Sequence, residues 1–287
     1  MAKLFGFVQF DFAGGLPLAD GRYLANGEET VLVLERVGAP PGPPRRRRRA
    51  RASSPEPEPA PVAVSRVTVI RTSAPFAGPA EAARWLDEAC GDEDAVEALA
   101  EEAIAPLNRA LHVHAVVVAE PRLSALAPEA AARMLIGYGS GEETADGRFT
   151  DARQVELAGR AGSRRRRREE ELRPQERTAA VLRGREQLDA CETLLLRARA
   201  DLDAGRNREA ALQLRVGLEA LLVELKGAVE DPGHEQDVRE LRERAPEAGA
   251  AAKAAIEGEL DEEQRNQVAE LLVIGERVLR RRRVLRG

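Results

Sequence analysis

Apolar positions fall into two regimes along the chain. Up to about residue 157 they come in short β-branched or aromatic runs alternating with helical stripes. Beyond residue 174 they recur at three- and four-residue spacings to the C-terminus. In the first regime, Leu4–Phe12 sets Phe5, Phe7, Phe10 and Phe12 in a strand-like run whose alternation is interrupted by Val8, and Thr30–Arg36 (TVLVLER) is a second strand. Gly14–Gly15, Pro17, Asp20–Gly21 and Asn26–Gly27 are turn signals between them. Residues 1–37 therefore read as a β-hairpin or meander. A lone hairpin is marginal in water, so it is expected to dock on a larger α+β domain.

That domain is predicted over residues 62–157. Val64–Arg71 is a strand. Pro79–Ala89 is a helix with Pro79 in its first turn and Trp85 and Leu86 on its inner face. Asp92 caps a helix running to about Leu111, with Val96, Leu99, Ala103, Ile104 and Leu107 on one stripe. Pro106 is expected to kink or split it. His112–Ala119 and Arg133–Tyr138 read as strands. Gly137–Gly147 (GYGSGEETADG) reads as a loop whose glycines supply positive φ in a long turn.

The second regime predicts an up-down bundle of four-helix type over residues 174–287. Pro174–Ala204 forms the first helix, Gly205 its C′ residue, and Asn207 the cap of the next. Arg208–Glu230 carries Leu212, Leu214, Val216, Leu218, Leu221, Leu222, Leu225 and Val229, apolar over more than half its circumference. Such a helix is expected at the centre, buried on several sides. Asp231–Pro232–Gly233 ends it, and His234–Glu257 is expected to break near Pro246. Asp261 caps a last helix with Glu262 and Glu263 in its first turn and Arg280–Arg283 in its last, as the macrodipole favours. The fold class is thus α+β followed by an all-α bundle.

Composition narrows the function. The chain has 287 residues, 44 basic and 49 acidic, a net charge of −5, and a mean hydropathy of −0.38. It is neither a globally basic nucleic-acid binder nor a collagen-like chain. Only Lys3, Lys226 and Lys253 among the basic residues are lysine. An Arg- and Ala-heavy chain is what a GC-rich coding sequence produces, which lowers the weight of its Arg runs. Residues 38–61, rich in Pro and carrying Arg45–Arg49, read as a disordered or extended linker, and residues 158–173, with Arg164–Arg168, as a charged one. The N-terminus MAKLFGFVQFDF lacks the features of a signal peptide, and no apolar run is long enough to span a bilayer. The expected location is the cytoplasm, away from membranes, with Cys90 and Cys191 reduced.

No catalytic, cofactor or metal constellation stands out. With neither a CxxC motif nor a Cys/His cluster, a zinc ribbon or finger is excluded. Glu142 and Glu143 follow the glycine-rich loop and would repel a phosphate. Ser140 in GYGSG lacks the partner residues of a nucleophile elbow. His112 and His114, on one face of their predicted strand, together with Tyr138, Gly139 and Ser140, are the candidates for a ligand-binding loop. Arg45, Arg47, Arg164, Arg166 and Arg168 are the candidates for polyanion contact, although no aromatic residue interleaves with them for base stacking. Leu214, Leu218 and Leu222 are the candidate partner surface.

Residues 194–227, LLLRARADLDAGRNREAALQLRVGLEALLVELKG, resemble the helical hairpin of HEPN domains. HEPN ribonucleases carry an Arg, four to six residues, then a His. The matched span holds no His, and the resemblance implies the non-catalytic kind, used for association or ligand binding. The expected function is a non-catalytic intracellular scaffold or regulatory protein, acting through its bundle on a protein partner or a second copy. Association with nucleic acid through the Arg runs is one alternative. An enzyme with an unfamiliar site near residues 112–147 is another.

Overall fold

A computed structural model describes residues 3–25, 29–38, 63–122, 124–157, 176–224 and 231–286. The two linkers expected from the sequence fall almost wholly outside these residues. The chain divides into two compact units, residues 1–161 and 162–287.

Unit 1 is a six-stranded antiparallel sheet with helices. Its strands are β1 (Leu4–Ala13), β2 (Gly21–Ala25), β3 (Thr30–Val37), β4 (Val64–Arg71), β5 (Ala131–Ser140) and β6 (Asp151–Val155), in the order β2-β3-β4-β1-β5-β6. The N-terminal strands do not form a separate hairpin docked on another sheet. β1 lies between β4 and β5, while β3 pairs with β2 and β4. β1 can take that central place because it is buried on both faces, one apolar and the other mixing Phe7 with polar Gln9 and Asp11. Val8, Phe10 and Phe12 join the core beneath the helices, and Phe7 on the opposite face lies tilted against Phe149 with ring centroids 4.3 Å apart. The same face also holds a bidentate Arg66–Asp11 pair at 2.8 and 3.0 Å.

Helix α1 (Pro79–Ala89) buries Ala82 and Leu86, and α2 (Glu93–Val118) buries the stripe from Val96 to Leu111 against the sheet. Asp92 caps α2 as the sequence indicates, its carboxylate accepting from the Ala95 amide. Two expectations fail here. Pro106 does not split α2, and His112–Ala119 is not a strand: residues 112–118 extend the same helix by two turns. It ends on Ala119 in left-handed conformation (φ 56°), with the Glu120 amide donating to the Ala115 carbonyl and the Ala119 amide to Val116. This is a Schellman stop without the usual glycine.

The glycine-rich stretch is not a loop either. Gly137 and Gly139 are strand residues of β5, and α3 (Gly141–Ala145) follows directly. Their reason for being glycine is space rather than positive φ. A Cβ on Gly137 would stand 2.5 Å from the Asp151 carbonyl, and one on Gly139 2.5 Å from Thr144 Oγ1. Of this stretch, Gly147 alone has positive φ, at 76°.

Unit 2 contains a short helical segment at 176–182 and then α4 (Ala190–Asp203), α5 (Asn207–Glu224), α6 (Pro232–Glu257) and α7 (Glu262–Arg286). The first expected helix is interrupted, because Gly184 stops the short segment in left-handed conformation. Gly205 ends α4 in the same way: the Arg206 amide bonds the Asp201 carbonyl and the Gly205 amide that of Leu202. Asp231 and Pro232 begin α6 rather than merely ending α5, with the Asp231 carboxylate accepting from the His234 amide at 2.7 Å. Pro246 lies inside an unbroken α6. Asp261 and Gln264 form a reciprocal capping box at the start of α7.

The core of unit 2 is aliphatic. Leu195, Leu214, Leu218, Leu221, Leu241, Leu271 and Leu272 are sealed from solvent, with alanines between them. Leu218→Ala should therefore cost about 2–5 kcal/mol in chemical denaturation. Val216→Ala, at a half-exposed position of the same helix, should change stability by less than about 0.5 kcal/mol. Ala119→Gly should raise stability by up to about 1 kcal/mol by relieving the left-handed alanine.

Candidate functional site

A polar cluster lies where three helices of unit 2 meet. α4 begins with four backbone amides that no intrahelical carbonyl can satisfy. A carboxylate from another helix meets two of them: Glu224, in the last turn of α5, accepts from the Ala190 and Cys191 amides at 3.1 Å each. Arg282 of α7, only 6% exposed, crosses the same point. It pairs with Asp189 at 3.0 Å and donates to the Glu224 backbone carbonyl at 3.1 Å.

Ligand atoms of Asp189, Cys191 and Glu224 lie within 4.8 Å of one another, a spacing that could hold a metal ion. The charges argue for a different role. The Arg282 guanidinium already stands as the cation beside these carboxylates, and both Glu224 oxygens are engaged by amides. Burial, then the hydrogen bond to Glu224, pushes the Cys191 thiol up to about 12, so it stays protonated. Burial also pushes the Glu224 carboxyl up. The Cys191 thiol, the Cys191 and Ala190 amides and the Arg282 charge together outweigh it, and Glu224 titrates below the ordinary carboxylate range. The cluster is a structural clamp.

One helical turn away on α7 the pattern repeats. Arg277 and Arg281 each approach buried Asp237 of α6 at 3.0 Å. Thus two members of the Arg280–Arg283 run, Arg281 and Arg282, tie α7 to the N-terminal turns of α6 and α4. They are not free for a polyanion. The other two runs, with Arg45, Arg47, Arg164, Arg166 and Arg168, lie outside the described residues.

The loop candidates are not brought together as one site. His112 and His114 do not share a strand face: two residues apart on a helix, they point roughly 160° apart. Tyr138 is buried beneath the helices, edge-on to Phe76 with ring centroids 6.5 Å apart. Gly139 is packed against Thr144, and the Ser140 hydroxyl donates to Glu143 at 2.7 Å. Outside the hairpin of residues 194–227, Arg109 and His114 are separated by four residues on α2. Five positions along a helix turn the two side chains roughly 140° apart, onto different faces.

Leu214 and Leu218 are also not a surface. They are 0% and 2% exposed in the core of unit 2, and Leu222 is half-buried against it. The outward face of α5 instead presents Leu212, Val216 and Val223, the last two 50% and 59% exposed. Spacings of four and seven residues place all three on one side. No sequence signal separated the two faces, because both are apolar.

No family model matches the chain, no curated protein matches it, and no solved structure matches its fold. Among the described residues, no helix is long and apolar enough to cross a membrane.

The thiols give a direct check on this cluster. A native chain should show one thiol titratable by a disulfide reagent, the half-buried Cys90, and two after denaturation. Replacing Glu224 with Ala should cost about 1–2 kcal/mol, as for a lost helix cap. Because the Glu224 carboxyl is lowered in the native state, its contribution is full above the ordinary carboxylate range. It is lost as pH falls through the native value. The acid limb of a stability–pH curve should therefore be shallower in Glu224→Ala than in the parent chain.

Proposed function

We propose that the protein is a non-catalytic intracellular scaffold or regulatory protein, and that its helical unit associates with a partner through the outward face of α5. The observation that carries this reading is the exposed apolar line of Leu212, Val216 and Val223 on a helix whose opposite face already fills the core. An apolar line on an amphipathic helix is suited to receive the apolar face of another helix. The charged clusters of the same unit are taken up in ion pairs and a helix cap. Arg282 is ion-paired with Asp189, Arg277 and Arg281 with Asp237, and both Glu224 carboxylate oxygens accept from backbone amides. The resemblance of residues 194–227 to a non-catalytic HEPN hairpin fits the same role.

Affinity purification of the full chain, with and without nuclease, tests the proposal. The parent chain should retain a protein partner that survives nuclease treatment and is lost with Val216→Glu, while thermal unfolding stays unchanged. Retention that persists in Val216→Glu but disappears with nuclease would favour nucleic acid bound through the Arg runs.

A further inference from the structure

Beyond Leu111, α2 leaves the core. None of the described residues between Leu111 and Pro128 is buried, and Val113, Val116, Val117 and Val118 are 52%, 68%, 76% and 50% exposed. Residues 112–118 are nevertheless helical. β-branched residues and histidine are poor helix formers, and no burial offsets that cost here. The helix also stops on an alanine at φ 56°, a strained conformation for a residue with a Cβ. Its last turns are held by propagation from the packed turns before them. A second feature sets a boundary. The Asn108 side-chain carbonyl accepts from the Leu126 amide at 2.7 Å, and the Asn108 side-chain amide donates to the Leu126 carbonyl at 2.9 Å. This clasp ties the returning chain to the last turn anchored by buried Leu107 and Leu111, so residues 109–125 can rearrange between two fixed points.

We propose that residues 112–118 form a helix–coil switch, a unit that opens and closes as one while the rest of unit 1 stays folded. The run HVHAVVV has the composition of a strand, so the chain loses little by leaving the helix. Closing it forms backbone hydrogen bonds but buries little apolar surface, which places the segment at the low-stability end of the domain. Such a balance populates the opened state at about 0.1–10%. The clasp keeps the opening from spreading to the stripe between Val96 and Leu111 or to β5. Closed, the helix satisfies the backbone of a strand-forming run; opened, it frees those amides and carbonyls. The switch thus controls whether that backbone is available for pairing. It is separate from the α5 face and does not depend on it.

Hydrogen exchange of the full chain, resolved residue by residue in NMR spectra, tests the proposal. The amides of Val113 to Val118 should share one protection factor of about 10–1,000, against about 10,000 or more for those between Val96 and Leu111. Simple fraying would instead give protection that falls step by step toward Val118. Val116→Ala combined with Val117→Ala restores helix propensity at two exposed positions. It should slow exchange across the segment about tenfold and leave the packed stripe unchanged. Ala119→Gly should slow it about fivefold by relieving the left-handed alanine. Asn108→Ala should let the opening run past Leu111 and speed exchange of Leu107 to Leu111 about tenfold or more. Circular dichroism should show each variant folded. A stepwise loss of protection, protection equal to that of the packed stripe, exchange unmoved by the double valine change, or an opening still confined in Asn108→Ala would each overturn the proposal.

Discussion

A shortage of large side chains governs how both units are built. The chain holds six Phe, two Tyr and one Trp, so bulk must come from bringing backbones close together. Glycine marks the places where this happens. Gly6 lies under the Trp85 ring, Gly137 under Phe7, Gly217 under Leu195, and Gly275 under Leu218 and Leu195. Alanine plays the same part in unit 2, where Ala198, Ala210, Ala211, Ala251 and Ala255 are sealed in the core. Close approach leaves little room for error at helix ends. Their unmet amides are met by local caps at α2, α6 and α7, and at α4 by Glu224 reaching across from α5.

The same constraint explains the arginines. A core of Leu and Ala is held in register by ion pairs at its margins: Arg199 with Glu276, Arg244 with Glu247 and Glu270, and Arg282 with Asp189. The forked guanidinium suits this, since it can meet a carboxylate with two bonds and a carbonyl with a third. Solvated pairs of this kind contribute little singly. Arg282 differs because it is buried, and removing it would leave Asp189 and Glu224 facing each other without a cation.

The α+β and all-α halves were legible because their periodicities differ, and the caps Asp92, Asp261 and Gly205 were legible because helix ends have few chemical solutions. β2 and β6 were not. GRYLA and DARQV are five-residue edge strands with no fully buried side chain and with Leu24 pointing outward, so they show no apolar alternation of the kind that marks a half-buried strand. The run HVHAVVV has the composition of a strand, yet it continues a helix already nucleated by the stripe from Val96 to Leu111; cooperativity overrode local preference. In unit 2, an α5 that is apolar over more than half its circumference could not reveal which side meets its neighbours. The clamp was hidden for a further reason: Glu224 and Arg282 reach α4 from far along the chain, and no spacing in the sequence records that meeting.

The distribution of aromatic rings has an optical consequence. All of them fall in unit 1, where Trp85 rests on Gly6 and lies 5.3 Å from Phe76 between ring centroids, and the span from residue 162 to the C-terminus has none. Unit 2 is therefore nearly transparent in the near-ultraviolet, and tryptophan emission belongs to the sheet domain. Far-ultraviolet ellipticity is weighted instead toward the four helices of unit 2. Each half of the molecule carries its own intrinsic reporter, and the independence of their unfolding can be read in a single unlabelled sample.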